Sequence, residues 1–351
     1  MYKGMITGVM GGGIPRQTCI STGWATTDGD DNAERQEEFA FPRTSLVDFC
    51  QVLPVHPRRK PLESLTGYFT RLGEANGITT VTAFASLVLP LSQRQVVYAM
   101  ADLLPASLDD FSTAATCSTP ELVAATFYHV ARKFGRTTSP TWLGRFLSGL
   151  LAPTLRYCPD CLAEGGYRSL VWRFTTVRGC AQHGRYLLDQ CGYCDAAIPF
   201  LASPLRVARC PLCGEDLRRC VAPRMALDEV TCNLVRVEDA TTLLLPHSCE
   251  QIERPATAIG AVLAATRQER GLARAEVAKR LNIPEFAVHA LEAPYTDKGA
   301  PSIGDVPLRI YRGTPLRRYM AYLDVLKVTM SDILVSASSL VVSPSPMPGV
   351  L

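Results

Sequence analysis

No uninterrupted apolar stretch in this 351-residue chain approaches the roughly 20 residues needed to cross a bilayer. That excludes a transmembrane helix. No export signal is expected either, because Lys3 is followed by a short run broken by Gly4, Gly8 and Gly11 to Gly13, too glycine-rich for an apolar signal core. The motifs of common chemistries are absent too: there is no Gly-rich phosphate loop, no nucleophile elbow and no His-Glu-x-x-His. The His-x-Glu with Pro-Cys-x-x-Cys of a zinc deaminase is lacking, and nothing gathers the carboxylates of a two-metal site. The expectation is a soluble, cytoplasmic, membrane-free protein with no catalytic residue. A net charge of +3 permits a nucleic-acid partner without demanding one.

Cysteine is what the chain does have, at thirteen residues. An odd number without an export signal argues for reduced thiols rather than disulfides. Eight residues form four consecutive pairs at ligand spacing: Cys158 and Cys161, Cys180 and His183, Cys191 and Cys194, Cys210 and Cys213. Two intervening residues let one tight turn aim two side chains at one ion, and two such pairs complete a tetrahedral zinc site. A cross-braced module would resume two or three residues after the His-containing pair, whereas seven residues separate His183 from Cys191. Sequential sites are therefore expected, with Cys158, Cys161, Cys180 and His183 on one structural Zn2+ and Cys191, Cys194, Cys210 and Cys213 on a second. Both sets are closed and leave no position for an activated water. Cys19, Cys50, Cys117, Cys220, Cys232 and Cys249 have no partner at this spacing and read as small buried hydrophobes. His247 with Cys249 is an isolated pair. His56, His129 and His289 stand singly.

Around the ligands the pattern is helical. Leu62, Leu65, Phe69 and Leu72 share one face of a helix ending near Asn76-Gly77, a pair suited to a left-handed cap. Further helices are predicted over Thr82 to Leu89, Ser92 to Leu103, Glu121 to Phe134 and Trp142 to Leu150. Leu170, Val171, Trp172, Phe174 and Val177 have strand composition. After the ligands, helices are predicted around Ile259 and Leu263, over Arg274 to Leu281 and Pro284 to Glu292, and over Leu316 to Leu326, with Ser331 capping a last turn. The expected fold is mainly α with small zinc-ribbon β elements. Its parts are a flexible segment (1–45), a helical domain (46–150), tandem zinc-binding ribbons (151–225), a connector (226–250), a helix-turn-helix bundle (251–335) and a disordered, Ser/Pro-rich tail (336–351).

Pro54, Pro61, Glu63, Ser64, Leu65, Tyr68, Phe69, Arg71, Leu72, Asn76 and Gly77 resemble the opening motif of the TniQ family, transposon target-selection proteins related to TnsD. In that family the motif precedes Tyr-Cys-Pro-x-Cys-Leu, a Trp, Cys-x-x-His and Cys-x-x-Cys. Here these are Tyr157, Cys158, Pro159, Cys161, Leu162, Trp172, Cys180, His183, Cys191 and Cys194. The resemblance, from about Leu53 to Cys213, implies a non-catalytic adaptor that brings a transposition machine to target DNA while a separate transposase transfers strands. The implied partners are DNA, an AAA+ ATPase and, in some members, an RNA-guided CRISPR effector complex; whether targeting is direct or guided, and whether the chain forms a homodimer, stay open.

Arg267, Gly271, Leu272, Val277, Ala278, Leu281, Ile283, Val288, Leu291 and Glu292 resemble the Cro-type helix-turn-helix family. Two departures stand out: Ala273 occupies the usual Ser/Thr cap position, and the third helix opens with Pro284, Glu285, Phe286 and Ala287. Base edges are read mostly by Arg, Lys, Asn and Gln, so this helix head is a poor reader. Arg274, Lys279, Arg280, Arg309, Arg312, Arg317 and Arg318 are candidates for holding phosphates. The alternative function carrying the same features is a zinc-containing helix-turn-helix transcription regulator, which gene neighbourhood would discriminate.

Overall fold

A computed structural model of the protein describes residues 52–89, 102–103, 108–135, 140–293 and 315–340. The segment 1–45, most of the helix expected over Ser92 to Leu103, and both Arg309 and Arg312 lie outside these residues. The described part is mainly helical. It holds thirteen α-helices, three 3-10 turns and only isolated antiparallel bridges in place of strands.

Helix α1 (Leu65–Ala75) begins where the Ser64 hydroxyl accepts the amide of Gly67 at 3.0 Å, and ends where Gly77 takes φ 70°. Leu62 stands outside it, at φ 55°. Leu65, Tyr68, Phe69 and Leu72 are buried against α2 (Val81–Val88) and α3 (Asp109–Ala115), with the Phe69 and Phe84 rings edge to face at 4.5 Å. The helix expected over Glu121 to Phe134 is two. Ser118 and Glu121 cap α4 (Thr119–Val123) reciprocally, and α5 (Tyr128–Lys133) restarts after a break. At that break the Ala125 carbonyl accepts Leu65 N and Thr126 Oγ1 accepts Tyr128 N, so tertiary and side-chain bonds replace the helix ladder. Helix α6 (Pro140–Phe146) is shorter than predicted and runs into turns through Leu150.

The strand reading of Leu170 to Val177 is overturned. Leu170–Arg173 form a 3-10 turn capped by Ser169, which buries Leu170, Val171 and Trp172. The β-branched and aromatic residues there answer a demand for buried surface, not for pleating. Before it lies α7 (Pro159–Glu164), and after the metal-ligand region comes α8 (Leu227–Leu244), 18 residues long, inside the stretch read as a connector. Its buried face includes Asn233 and Asp239, which interrupt the apolar stripe that periodicity looks for.

Helices α9 (Pro255–Glu269), α10 (Arg274–Leu281), α11 (Glu285–Glu292), α12 (Leu316–Leu326) and α13 (Met330–Leu340) complete the chain. Helix α9 packs on α11 and α13, α10 on α11 and α12, and α8 on α5 and α13. The tail expected to be disordered from Ser336 is helical to Leu340, because Ala337 continues the buried row of Met330, Ile333 and Leu334. The cap is Thr329, whose amide and hydroxyl bond Asp332; Ser331 lies inside the helix. One apolar cluster runs from Phe127 through the cysteine-rich region to Ala337, and a second joins α1 to α4 with Leu201 and Leu205. No helix among the described residues is long and apolar enough to cross a membrane.

Candidate metal centres

Each ligand pair is set by a local turn. Pro159 at the first position of α7 fixes the entry that leaves Cys158 at the helix cap and Cys161 one turn on. The other three pairs share one device: the residue after the second ligand is left-handed, Gly184 at φ 59°, Asp195 at 54° and Gly214 at 78°. There the amide returns to the carbonyl of the first ligand, from Gly184 to Cys180, Asp195 to Cys191 and Gly214 to Cys210, at 2.9–3.0 Å. Bridges Gly179 with Tyr186, Gln190 with Ala197, and Arg209 with Asp216 close each turn into a miniature hairpin.

The structure brings the eight ligands together as two groups of four, in the sequential pairing, with the donor atoms of each group within 4.8 Å of one another. In the first, His183 Nδ1 lies 3.5 Å from Cys158 Sγ, 3.3 Å from Cys161 Sγ and 3.4 Å from Cys180 Sγ. In the second, Cys191 and Cys213 sulfurs are 3.7 Å apart, and Cys194 and Cys210 sulfurs 3.8 Å. Zinc–sulfur bonds of about 2.3 Å in a tetrahedron impose sulfur–sulfur edges of about 3.8 Å, so spacing and donor chemistry both fit zinc. Both groups could hold metal ions. Hydrogen bonds from the Cys158 and Cys161 sulfurs pull the Cys180 thiol down, while hydrogen bonding within the same cluster pushes Cys161 up.

A residue outside the ligand pattern completes the first centre. Glu164 Oε1 lies 3.0 Å from His183 Nε2, and its other oxygen accepts Gln182 Nε2 at 2.8 Å. This fixes the tautomer that offers Nδ1 to an ion. Burial would lower the His183 pKa, but Glu164 and the neighbouring Cys158 sulfur together outweigh it and raise the value. In sequence Glu164 is only the last residue of a short helix.

The motif residues upstream are architectural. Buried Glu63 accepts both Arg71 Nε at 2.8 Å and Arg71 Nη2 at 2.7 Å, and takes the amide of Lys60 as well. Asn76 clasps both backbone groups of Val55. Ser64 N donates to the Arg168 carbonyl and Glu63 bridges Ser169, which ties α1 to the turn beside the first centre. Arg168, buried and pulled down to about 10 by that burial, donates to the carbonyls of Phe200, Arg206 and Val207 inside the second ligand loop. Nothing in the ligand spacing signals Arg168.

The remaining cysteines divide. Cys117, Cys220 and Cys249 are buried as expected, Cys232 is exposed on α8, and Cys19 and Cys50 lie outside the described residues. His247 Nδ1 accepts the amide of Cys249, a backbone cap and not a ligand arrangement. Of the phosphate candidates, Arg274 Nε is bound at 2.7 Å to Glu292, a buried carboxylate that also accepts Arg267 Nε and Tyr322 OH, both at 2.5 Å. Burial alone would raise the Glu292 pKa, but these three donors hold it low. Arg280 pairs with Glu276 one turn back at 2.5 Å. Lys279 is exposed, Arg318 is half-buried, and the Arg317 guanidinium lies against the Gly149 turn.

No curated protein matches the chain. The family comparison covers α1 through the first centre and stops short of the second, which begins at Cys191: over residues 54–187 the chain matches the TniQ family.

Proposed function

We propose that this protein is a non-catalytic target-site selection adaptor for DNA transposition, joining target DNA, or an RNA-guided effector complex seated on it, to an AAA+ ATPase and a transposase. The TniQ match over residues 54–187 carries the reading. Its physical support is that the matched residues build one scaffold: Glu63, Arg71 and Asn76 shape the entry loop, and Ser64 ties it to the first ligand cluster. In this reading each cluster holds one Zn2+ as a structural ion, since four protein ligands per ion leave none of the open coordination that catalysis needs.

Helices α10 and α11 act as the helix-turn-helix, with Asn282 left-handed at φ 51° between them. Glu285 and Phe286 at the head of α11 are exposed and suited neither to base edges nor to phosphates. Lys279 and Arg318 are the cations best placed for phosphates, while Arg274 and Arg280 must first exchange their carboxylates. DNA binding is therefore sequence-tolerant, and target choice depends on a partner.

The test is reconstituted transposition with the neighbouring ATPase and transposase, mapping insertions by sequencing with and without this chain. Insertions clustered at one target only when it is present support the adaptor. An unchanged insertion profile without it removes the role. The chain alone with magnesium, transposon ends and target DNA leaves the DNA intact; cleavage abolished by an Asp or Glu substitution would overturn the non-catalytic reading.

A further inference from the structure

The two clusters differ in access. Cys158, Cys161 and Cys180 are 0%, 8% and 4% exposed, and Glu164 covers the outer edge of His183. In the second cluster Cys191 and Cys210 are equally deep, but Cys194 and Cys213 face solvent. Each exposed sulfur stands beside a buried one, Cys213 at 3.7 Å from Cys191 and Cys194 at 3.8 Å from Cys210. A disulfide bond is about 2.05 Å long, so each pair closes by a shift of about 1.7 Å.

We propose that the second cluster is an oxidant-sensitive zinc clasp, while the first is inert. The proposal rests on the reading that both clusters hold zinc. Hydrogen peroxide reaches the exposed thiolate first, because susceptibility follows thiolate character and access. The sulfur attacks one peroxide oxygen, the O–O bond breaks, and a sulfenic acid and water result. The neighbouring thiolate then attacks that sulfur, the S–S bond forms and the oxygen leaves as a second water. Two thiolates, one peroxide and two protons thus give one disulfide and two waters, with two electrons passing from sulfur to oxygen. The ion, short of two donors, leaves for water.

What the clasp holds is specific. The loop between its cysteine pairs inserts Leu201 and Leu205 into the α1–α2 core. Leu205 N donates to the Thr79 carbonyl at 2.7 Å, Val81 N to Ser203 Oγ at 3.0 Å, and Val207 N to Glu74 at 2.9 Å. Opening the clasp frees that plug, and the oxidation state of two surface thiols reaches the buried face of α1.

The experiment uses the full zinc-loaded chain, its metal counted by elemental analysis, then treated with hydrogen peroxide. Released zinc is followed with a chromogenic chelator, thiols by differential alkylation and mass spectrometry, and the loop by limited proteolysis. Exposed Cys232 is the reference thiol that oxidises without releasing metal. One equivalent is expected to leave at least about tenfold faster than the other, since access sets the rate. Disulfides are confined to the second cluster, cleavage rises within residues 195–209, and dithiothreitol with zinc reverses all three. The proposal falls if both ions leave together, if a first-cluster cysteine oxidises first, or if the second cluster stays reduced while Cys232 is oxidised. Fewer than two ions before peroxide refutes the occupancy on which it stands.

Discussion

Two carboxylates do the most at the scale of single residues. Glu164 touches no candidate ion, yet it sets which nitrogen of His183 does. Glu164→Gln is expected to keep the fold and weaken zinc at the first cluster about 10- to 100-fold, the usual cost of losing such a partner. Chelator competition checks this, and equal weakening of both ions would refute it. Glu250 accepts Lys133 Nζ at 2.8 Å and lies 2.9 Å from His129 Nδ1. Burial alone would raise its pKa, but those hydrogen bonds hold it at about 2; on Lys133 burial wins and lowers the value. The carboxylate is ionised near neutrality because two nitrogens, Lys133 Nζ and His129 Nδ1, serve it. A carboxylate depressed in the folded state stabilises above its unfolded pKa of about 4.3, and that stability is lost as pH falls toward 2. Glu250→Gln should therefore cost about 3–5 kcal/mol at pH 7, by leaving Lys133 buried without its counter-ion, and flatten the loss of stability between pH 5 and 2. Urea unfolding across that range measures both, and an unchanged pH slope would count against the assignment.

At the scale of elements, the turns and the plug make separable predictions. Gly214 at φ 78° has nothing within 4 Å of an added Cβ, so Gly214→Ala costs only backbone strain, about 1–2 kcal/mol. Leu205 is fully buried under α1, and Leu205→Ala should cost about 2–5 kcal/mol through the cavity it leaves. Thermal unfolding of the two variants ranks them; an equal or reversed order would mean the plug is not packed as described. These elements also show why the sequence was legible in parts. The ligand pairs and the C-terminal cap of α1 at Asn76-Gly77 were readable because spacing of a few residues fixes them locally. Glu164 and Arg168 were not, since their partners lie 19 and 32 to 39 residues away. The aromatic run at Leu170 misled because burial selects the same residues as pleating. Helix α8 hid because Asn233 and Asp239 are buried there for hydrogen bonds, Asn233 to Arg178 and Gly179 and Asp239 to Met330.

For the whole molecule, elemental analysis is expected to return two zinc ions. Cys161→Ser should lose one and leave the second cluster loaded, while loss of both would mean that the ligands are shared between ions. Full-length protein should bind unrelated duplexes similarly, and Lys279→Ala or Arg318→Ala should each reduce the slope of log affinity on log salt by about one. A duplex preferred by about a thousandfold or more would show that α11 reads sequence after all. The Lys133–Glu250 contact spans 117 residues of chain, and the apolar cluster it seals runs on to Ala337. At about 5–20 residues added per second, a ribosome that has released α5 needs roughly 6 to 23 s more to deliver Glu250. Through that interval the nascent chain carries a lysine whose two acceptors, the Leu245 carbonyl and Glu250, are not yet made, so its maturation is gated by translation speed and by whatever shields it meanwhile.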